Sequence, residues 1–489
     1  MKCLIVNRGE IAVRIARTLR EMGITSIGIY SEPDKYSLHN FFVDGSYPLN
    51  GRSPLETYLD IEKILWVIEK EKPDFVHPGY GFLSENHEFA YQVEKKGVKF
   101  VGPSSESIKI MGDKSEARKI AEKCGVPTVP GYSGKLSNAE EALKIAEKIG
   151  FPVMLKASLG GGGKGMRIVK SKEEFVSLFN LAYREAESAF GEGSLYIEKF
   201  IEKPKHIEVQ IIADEKGNYF ALGERECSIQ RRHQKLIEES PSPFIDAKIR
   251  KDIEEAAIEI AKACKYKNAG TVEFIFDKEK NFYFIEMNTR LQVEHPITEM
   301  RALLDLVKLQ MLIAMGEEIK LENPYPLKGY AIEVRIYAED PYENFMPSPG
   351  EIKWISFPSG QFVRVDSGVY QGYVVPDEYD PLLLKVIVWG NDRAEGIERI
   401  KRALKELFIA GIKTTREFSL ELLETSFFMK GEYDTFLLER WKPEKKEEAH
   451  FLEDEVQRFL EKEVIISGKT ALKESRWKNF KFFFNNFEF

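Results

Sequence analysis

The chain has 489 residues, of which 43% are hydrophobic, and this length and composition predict about two to four globular domains. Its formal net charge of −8, from 71 basic and 79 acidic residues, argues against nucleic-acid binding, which needs a strongly basic face. The cysteines form no CxxC pair, no apolar run reaches about 18 residues, and the apolar start is too short for a signal peptide, so we expect reduced thiols, no membrane span and a cytoplasmic location.

The first hundred residues alternate strand and helix patterns. The apolar run Cys3–Val6 predicts a buried strand, and Asn7 is predicted to cap the following helix, with Glu10 completing an approximate capping box. The alternation continues with a strand at 26–30, a helix at 58–70 and a strand at 75–77. This order predicts a mostly parallel sheet in a Rossmann-like domain, which we place at residues 1–113. The loop after the first strand lacks the G-x-G-x-x-G pattern, so NAD is not expected.

The segment HPGYGFLSEN, at residues 77–86, joins a strand to a tight turn rich in glycine and proline. A helix is predicted to open at Ser84. Tyr80 would then lie at the carboxyl end of a parallel sheet, where ligands commonly bind. By itself, however, the segment is more typical of an ordinary turn without a ligand.

A run of four glycines, Gly160–Gly163, is the strongest local signal in the chain. Strands are predicted on either side of it, at 153–157 and 166–169. Glycines let the backbone fold closely over a ligand, and Lys156 and Lys164 flank the run, so the segment predicts a lid over a polyphosphate. A flexible hairpin loop is the alternative. A P-loop is disfavoured because Ser158 and Gly165 stand where the Walker pattern requires Gly and then Ser or Thr.

Two later strands carry polar oxygen ligands among apolar side chains. Glu273 lies inside the predicted strand 270–277, while Glu286 and Asn288 share one face of the predicted strand 282–288. Buried carboxylates are costly unless they are paired or bind metal, and Mg²⁺ prefers such hard oxygen ligands, so the pattern predicts a Mg²⁺ site. A solvated strand end with ion pairs is the alternative. If the chain stays extended, the same face continues through Arg290, Gln292 and Glu294.

The segment QRRHQK, at residues 230–235, concentrates cations and hydrogen-bond donors. It is consistent with contacts to a nucleotide and a small anion, or with a solvated basic loop. His206, which opens a predicted strand at 206–213, is by itself more typical of a strand end than of a ligand-binding residue.

The last part of the chain predicts a further domain and an extension. Short strands and turns followed by a helix at 394–407 indicate a mixed α+β domain over 329–441. The extra tail, 442–489, ends in a run of aromatic residues. We expect it either to pack on its parent domain or to form a docking surface for a partner.

Seven strings, in this order, are similar to those of the biotin carboxylases within the ATP-grasp superfamily: NRGEIA, HPGYGFLSEN, MGDKSEA, GGGGKGM, ECSIQRRHQK, IEMNTRLQVEHPITE and RIYAEDP. The resemblance extends from Cys3 to Trp441. It implies an ATP-grasp domain at 114–328, with a lid around 132–203, between the Rossmann-like N-terminal domain and the mixed α+β C-terminal domain.

The resemblance also implies a role for each matching residue. ATP would be bound by Lys114, Lys156, Gly162, Gly163, Glu198, Lys199, Phe200, Ile201, His206, Gln230 and His233. Mg²⁺, or Mn²⁺ in its place, would be bound by Glu273, Glu286 and Asn288. Bicarbonate would be surrounded by Lys235, Arg290, Gln292 and Val293, with Glu294 as its general base, and Arg335 would stabilise the biotin enolate.

The implied reaction is the ATP-dependent carboxylation of biotin by bicarbonate through carboxyphosphate, giving ADP, phosphate and carboxybiotin. The Ala-Met-Lys-Met string for biotin attachment is absent from the sequence, and Phe428-Met429-Lys430-Gly431 is a poor match to it. Biotin is therefore expected on a biotin carboxyl carrier protein or a biotinylated carboxyltransferase subunit, with the chain itself a homodimer. The chain would serve an acetyl-CoA carboxylase or, as the tail suggests, a two-subunit pyruvate or 2-oxoacid carboxylase, and the sequence leaves the final acceptor open.

Two other functions remain possible on the sequence alone. One is an ATP-grasp ligase with a different acceptor, of the carbamoyl-phosphate or purine-synthesis type, against which Arg335 and the run 290–294 argue. The other is a non-catalytic scaffold that binds nucleotide and partners. The set of predicted catalytic and metal-binding residues described above argues against that scaffold.

Overall fold

The computed structural model describes residues 1–157, 166–190 and 195–443. Its N-terminal region contains a five-stranded parallel sheet in the order β3-β2-β1-β4-β5. The elements are β1 (Lys2–Ile5), α1 (Gly9–Glu21), β2 (Thr25–Tyr30), α2 (His39–Phe42), β3 (Gly45–Pro48), α3 (Ile61–Glu71), β4 (Phe75–His77), α4 (His87–Lys95), β5 (Lys99–Phe100) and α5 (Ser105–Gly112). The predicted parallel sheet is therefore confirmed, and its central strands are buried.

The predicted cap of the first helix was wrong. The helix begins at Gly9, and the Asn7 side chain instead donates hydrogen bonds of 2.7 Å to the backbone carbonyls of Pro78 and Tyr80. Asn7 thus ties the end of β1 to the turn after β4. Since both strands are parallel neighbours, their carboxyl ends meet at this position.

Two further helix starts also differ from the predictions. The helix expected at residue 58 begins at Ile61, because the Asp60 side chain accepts from the Lys63 amide and caps it. The helix expected at Ser84 begins at His87 with Asn86 as its cap. Gly79, Gly81 and Phe82 have φ of +63°, +69° and +43°, and this left-handed backbone excludes a helix across the turn.

A second, four-stranded antiparallel sheet has the order β6-β9-β7-β8. Helix α6 (Lys114–Lys123) precedes this sheet and packs on the neighbouring apolar core. The sheet and the helices that connect its strands are β6 (Gly131–Leu136), α7 (Ala139–Ile149), β7 (Val153–Ala157), β8 (Met166–Val169), α8 (Lys172–Phe190) and β9 (Leu195–Lys199). Apolar side chains of α7 and α8 pack on it in a core separate from that of the neighbouring sheets. The stretch from β6 to β9 overlaps the segment 132–203, whose role as a lid stays a prediction.

An eight-stranded antiparallel sheet, in the order β14-β13-β10-β11-β12-β15-β22-β20, joins the central and C-terminal segments. Its central part comprises β10 (Lys205–Ala213), β11 (Tyr219–Arg231), β12 (Gln234–Ser240), α9 (Ala247–Ala263), β13 (Asn268–Phe276), β14 (Phe282–Asn288), α10 (His295–Ala302) and α11 (Leu306–Met315). Strand β12 pairs with β15 through four residue pairs. The sheet therefore runs without interruption across the boundary predicted at residue 328.

The C-terminal segment completes this sheet and adds short peripheral strands and helices. Its elements are β15 (Tyr330–Tyr337), β16 (Glu339–Asp340), a 3₁₀ turn (Pro341–Glu343), β17 (Met346–Pro347), β18 (Gly350–Glu351), β19 (Trp354–Ser356), β20 (Val363–Ser367), β21 (Val374–Val375), β22 (Leu382–Gly390), α12 (Arg393–Glu406), β23 (Phe408–Ala410), α13 (Arg416–Leu423), α14 (Ser426–Lys430) and α15 (Leu437–Arg440). Helix α12 packs on β15 and β22 over the largest apolar core.

The expectations for the end of the chain lie almost wholly outside the described residues, which stop at residue 443. Whether the tail packs on its parent domain or forms a docking surface therefore stays a prediction. Among the residues that the structure describes, no helix combines the length and the apolar character needed to cross a bilayer.

Candidate active site

Strands β10, β13 and β14 place three carboxylates side by side. Glu208 lies opposite Glu273, and Glu273 lies opposite Glu286, so the three side chains project from the same face of the sheet. We call these three residues the carboxylate row. Like charges that face each other across strands are destabilising, so the row requires cations around it.

Glu273, in the middle of the row, is almost fully enclosed by donors. One of its oxygens lies 3.0 Å from His206 Nε2, and the other lies 3.3 Å from Lys235 Nζ. Asn288 Nδ2 and Gln292 Nε2 donate to the second oxygen at 2.9 and 3.2 Å. Burial alone would raise the pKa of Glu273, but Lys235 and His206 outweigh it and hold the pKa below its usual range. Glu273 is therefore ionised.

Glu286, at the open end of the row, is less enclosed. Its side chain is 38% exposed, and Lys114 Nζ lies 3.7 Å from Oε2. Burial and then the charge of Glu273 raise the pKa of Glu286. Two facing carboxylates, one of them open to solvent, fit a divalent cation with hard oxygen preferences, and such an ion would relieve their repulsion.

Lys235 is the cation at the centre of the site. Its Nζ lies 2.6 Å from Glu208 Oε2 and 2.6 Å from Glu294 Oε1. Burial alone would lower the pKa of Lys235, but the surrounding carboxylates raise it well above its usual range. Arg225, fully buried, binds the other oxygen of Glu208 at 2.6 Å. The ammonium is therefore charged and held in one position from several sides.

Glu294 lies between two cations. Besides Lys235, Arg335 NH2 contacts its Oε2 at 2.8 Å, and Arg335 Nε lies 2.5 Å from Glu238 Oε1. Burial alone would raise the pKa of Glu294, but Lys235 and Arg335 hold it well below its usual range. An ionised, buried carboxylate between two cations can accept a proton from a bound acid once an anion takes over part of that positive charge.

The chain does not stay extended beyond Asn288, so the condition for a shared face through Arg290, Gln292 and Glu294 is not met. Strand β14 ends there, the chain turns so that Leu291 is buried in the apolar core, and α10 begins at His295. The predicted residues nevertheless come together. Arg290 donates to Gln292 Oε1 at 2.7 Å and to Asn288 Oδ1 at 3.0 Å. Its Nε lies 2.7 Å from Glu85 of the N-terminal turn, which anchors the loop from the other side.

Of the predicted nucleotide residues, Lys114 and His206 contact the row directly. Lys156 forms an ion pair with Glu198 on the neighbouring strand. Lys199 uses its ammonium for the carbonyls of Gly150 and Phe151, at 2.8 and 3.0 Å. The backbone amides of Lys199 and Phe200 donate to the carbonyls of Pro130 and Pro152, and Ile201 follows them as the last residue of the predicted hinge.

The segment 230–235 divides between the interior and solvent. Gln230 is buried opposite Lys235 on the hairpin of β11 and β12. His233 is exposed in the turn of that hairpin, with φ of +69°, so the structure does not bring it to the carboxylate row. Gly162 and Gly163 lie outside the described residues.

Sequence reasoning missed four charged residues of the site: Glu85, Glu208, Arg225 and Glu238. Glu208 and Arg225 lie in strands with alternating polar residues, and that alternation was the only local signal for them. Their role becomes visible only through strand pairing, because Glu208 meets Glu273 although the two residues are 65 positions apart in the chain.

Three family descriptions match consecutive segments of the chain. They are the biotin carboxylase N-terminal domain at 1–108, the carbamoyl-phosphate synthase L chain ATP-binding domain at 113–322 and the biotin carboxylase C-terminal domain at 333–440. Biotin carboxylase 1 of Bacillus subtilis is 50% identical over 442 residues, which cover 90% of this chain and 98% of that protein. The chain belongs to the biotin carboxylase family. The biotin carboxylase family carries out ATP-dependent ligation, and the activity of this chain is the ATP-dependent carboxylation of biotin.

Other biotin carboxylases support the same assignment. The biotin carboxylase of Campylobacter jejuni, solved as a β,γ-ATP complex, superposes with a TM-score of 0.85 at 47% identity, over 90% of this chain and 98% of that one. The biotin carboxylase domain of a thermophilic 2-oxoglutarate carboxylase, solved with bicarbonate, gives a TM-score of 0.86 at 44% identity, covering 90% and 97%. The resemblance and the three-part fold predicted from the sequence are confirmed.

Proposed function

We propose that the carboxylate row, with the loop that follows it, activates bicarbonate with ATP and passes the carboxyl group to biotin presented by another protein. The observation that carries this proposal is the position of Glu294 between Lys235 and Arg335, beside the row. Glu294, the proposed proton acceptor, thus contacts both Lys235, which would bind bicarbonate, and Arg335, which would contact biotin.

The row supplies the metal and nucleotide end of the site. Glu273 and Glu286, with Asn288, would hold Mg²⁺ or Mn²⁺, and the ion would offset the negative charge of the nucleotide phosphates. Support comes from the biotin carboxylase domain of a Hydrogenobacter thermophilus enzyme, solved with MgADP and bicarbonate. The remaining ATP contacts are assigned to Lys114, Lys156, Gly162, Gly163, residues 198–201, His206, Gln230 and His233.

The loop supplies the bicarbonate end. Lys235, Arg290, Gln292 and Val293 would surround the anion, and Glu294 would remove its proton. The resulting oxyanion attacks the γ-phosphorus of ATP, the bond to the β,γ-bridging oxygen breaks, and carboxyphosphate and ADP result. Bound bicarbonate would take up part of the positive charge of Lys235. This would raise the pKa of Glu294 and make it a better proton acceptor.

Arg335 serves the second half-reaction. Carboxyphosphate breaks into CO₂ and phosphate, and the phosphate takes the proton of the biotin ureido N–H. The enolate so formed attacks CO₂ through nitrogen and gives carboxybiotin. A guanidinium does not lose its charge at any working pH, so Arg335 can stabilise the enolate throughout.

The biotin would come from a separate chain, either a biotin carboxyl carrier protein or a biotinylated carboxyltransferase partner. One solved relative is named as the biotin carboxylase subunit of pyruvate carboxylase, and another was solved as a biotin carboxylase domain dimer, which supports a separate partner and a homodimer. We assign residues 1–113, 114–328 and 329–441 to three domains and residues around 132–203 to a lid. The final carboxyl acceptor is a property of the partner.

The test is ATP hydrolysis by the purified chain with bicarbonate and free biotin. We expect ATP hydrolysis that depends on bicarbonate and becomes faster when biotin is added. We also expect labelled carbon to pass from bicarbonate to biotin. Glu294→Gln should abolish the bicarbonate-dependent ATP hydrolysis and the transfer of labelled carbon, while ATP binding is retained. Stimulation by ammonia in place of biotin would instead assign the chain to an ATP-grasp ligase of the carbamoyl-phosphate type.

A further inference from the structure

Lys385 lies in the middle of β22 and is fully buried. Its ammonium contacts the loop of residues 289–294, which we call the bicarbonate loop. Its Nζ donates to the backbone carbonyl of Val293 at 2.7 Å and lies 3.0 Å from Glu10 Oε1. We propose that Lys385, held by Glu10, is a positioning residue that fixes the Val293–Glu294 peptide and so sets the bicarbonate site. This inference rests on the function proposed above for that loop.

The strand register explains how Lys385 reaches the loop. Lys385 lies directly opposite Arg335 in the pairing of β15 with β22, so the two cations project from the same face of the sheet. Arg335 binds the carboxylate of Glu294, whereas Lys385 binds the carbonyl of the preceding residue. Two adjacent strands therefore hold one short segment through its side chain and through its backbone.

The planarity of the peptide bond makes this backbone contact consequential. The carbonyl of Val293 and the Cα atom of Glu294 belong to one rigid plane. Fixing that carbonyl oxygen therefore restricts where the Glu294 side chain starts. An error of about 1 Å in the position of a reacting group can cost roughly a hundredfold in rate.

The ammonium is charged despite its burial. Burial alone would lower the pKa of Lys385, but Glu10, Glu333 and Asp366 around it raise the pKa above its usual range. A charged donor forms a stronger hydrogen bond with a carbonyl than a neutral one does. The bond to Val293 is therefore well suited to hold the loop in one conformation.

Glu10 connects this lysine to the N-terminal region. It lies in the first turn of α1, and the Tyr80 hydroxyl donates to the same carboxylate that meets Lys385. The segment 7–10 and the turn around Tyr80 thus reach the bicarbonate loop through a chain of contacts from Tyr80 to Glu10, Lys385 and Val293. This gives a use to Glu10, whose predicted part in a capping box the structure does not support.

The test separates loop positioning from an ordinary buried ion pair. Lys385→Met removes the carbonyl contact and leaves the Glu10 carboxylate without its lysine partner, whereas Lys385→Met with Glu10→Gln removes both charges of the pair. We expect Lys385→Met to lower the thermal midpoint and to raise KM for bicarbonate about tenfold or more, with KM for ATP within about twofold. The double variant should recover part of the thermal midpoint, because only Glu333 and Asp366 then lack the lysine charge, but it should keep the raised KM for bicarbonate.

Arg393→Met is the control for the loss of a cation that pairs with a carboxylate and with backbone carbonyls. Arg393→Met removes another cation that binds both a carboxylate, Glu239, and backbone carbonyls, those of Phe428 and Met429, and it should affect stability only. Recovery of both readouts in the double variant, or a wild-type KM for bicarbonate in Lys385→Met, would overturn the inference. If Lys385→Met does not fold, the double variant alone decides. An active Glu294→Gln would instead refute the function proposed for the loop, whatever Lys385 does.

Discussion

The Lys235 ammonium lies 2.6 Å from the Glu294 carboxylate, and neither side chain is more than 10% exposed. The same ammonium contacts Glu208 and Glu273. Three buried carboxylates thus share one lysine, in addition to the contact that each makes with Arg225, His206 or Arg335. This shared contact determines how the site should respond when the lysine is removed.

Lys235→Met should therefore destabilise the whole protein as well as inactivate it. Removing one partner of a buried ion pair leaves uncompensated charge and costs about 3 to 5 kcal/mol. Urea unfolding measures the loss. Lys262→Met, which removes an exposed pair with Glu259 at 2.7 Å, should cost less than about 1 kcal/mol. Equal losses in the two variants would contradict the central role of Lys235.

Arg335→Ala should keep nucleotide binding but lose carboxybiotin formation. Arg335 bridges Glu294 and Glu238 on the side away from the metal-binding end of the row, so ATP contacts are left in place. Calorimetric titration with ATP and transfer of labelled bicarbonate to biotin measure the two properties. Arg335→Lys keeps the charge but not the planar fork, and it should retain only part of the transfer. Unchanged turnover in Arg335→Ala would refute the role given to it.

Glu286→Gln should raise the Mg²⁺ concentration that supports half-maximal ATP cleavage by more than about tenfold. The carboxylate is the more exposed of the two that face each other on β13 and β14, so its removal halves the charge offered to the ion there. A Mg²⁺ titration of activity measures the shift. Glu279→Gln, at an exposed position in the turn between the same strands, is the matched control. An unaltered titration would exclude Glu286 as a ligand.

Asp34→Asn should change how stability depends on pH. Arg8 binds both oxygens of the buried Asp34, at 2.6 and 2.7 Å. Burial alone would raise the pKa of Asp34, but Arg8 holds it below its usual range. The pair therefore stabilises the fold above the unfolded pKa of about 3.9, and the contribution is lost as pH falls through the lower folded pKa.

The measurement for Asp34→Asn is urea unfolding at pH 7 and at successively lower pH. The variant should be less stable than the wild type at pH 7, by about 1 to 3 kcal/mol. The difference should shrink below about pH 4, where the wild type itself loses the contribution. A difference that is as large at pH 3 as at pH 7 would show that Asp34 acts through packing and not through its charge.

Local patterns predicted much of this fold. The alternation of strands and helices predicted the parallel N-terminal sheet, and the strands at 153–157, 166–169 and 282–288 have the predicted bounds. Helix starts were less predictable. Asp60 and Asn86 cap α3 and α4, but other polar residues nearby in the sequence could have capped the same helices. Which residue caps each helix depends on turn geometry that a sequence does not show.

The site was predicted in part for the same reason. The facing of Glu273 and Glu286 follows from two adjacent strands, and Glu294 was expected near them, although through an extended chain that the structure does not have. Glu208, Arg225 and Lys385 could not be placed, because each reaches the site through pairing between strands that are distant in sequence. Burial of a charged residue has no local signature of its own.

The continuous sheet has a consequence for recombining this chain with its relatives. Strands β12 and β15 share four residue pairs, so a chimaera joined at residue 328 would have to match two strand faces from different parents. A fragment ending there would expose the backbone of a buried strand, and an uncovered edge of this kind promotes aggregation. Exchange of modules should therefore keep residues 205–390 from a single parent.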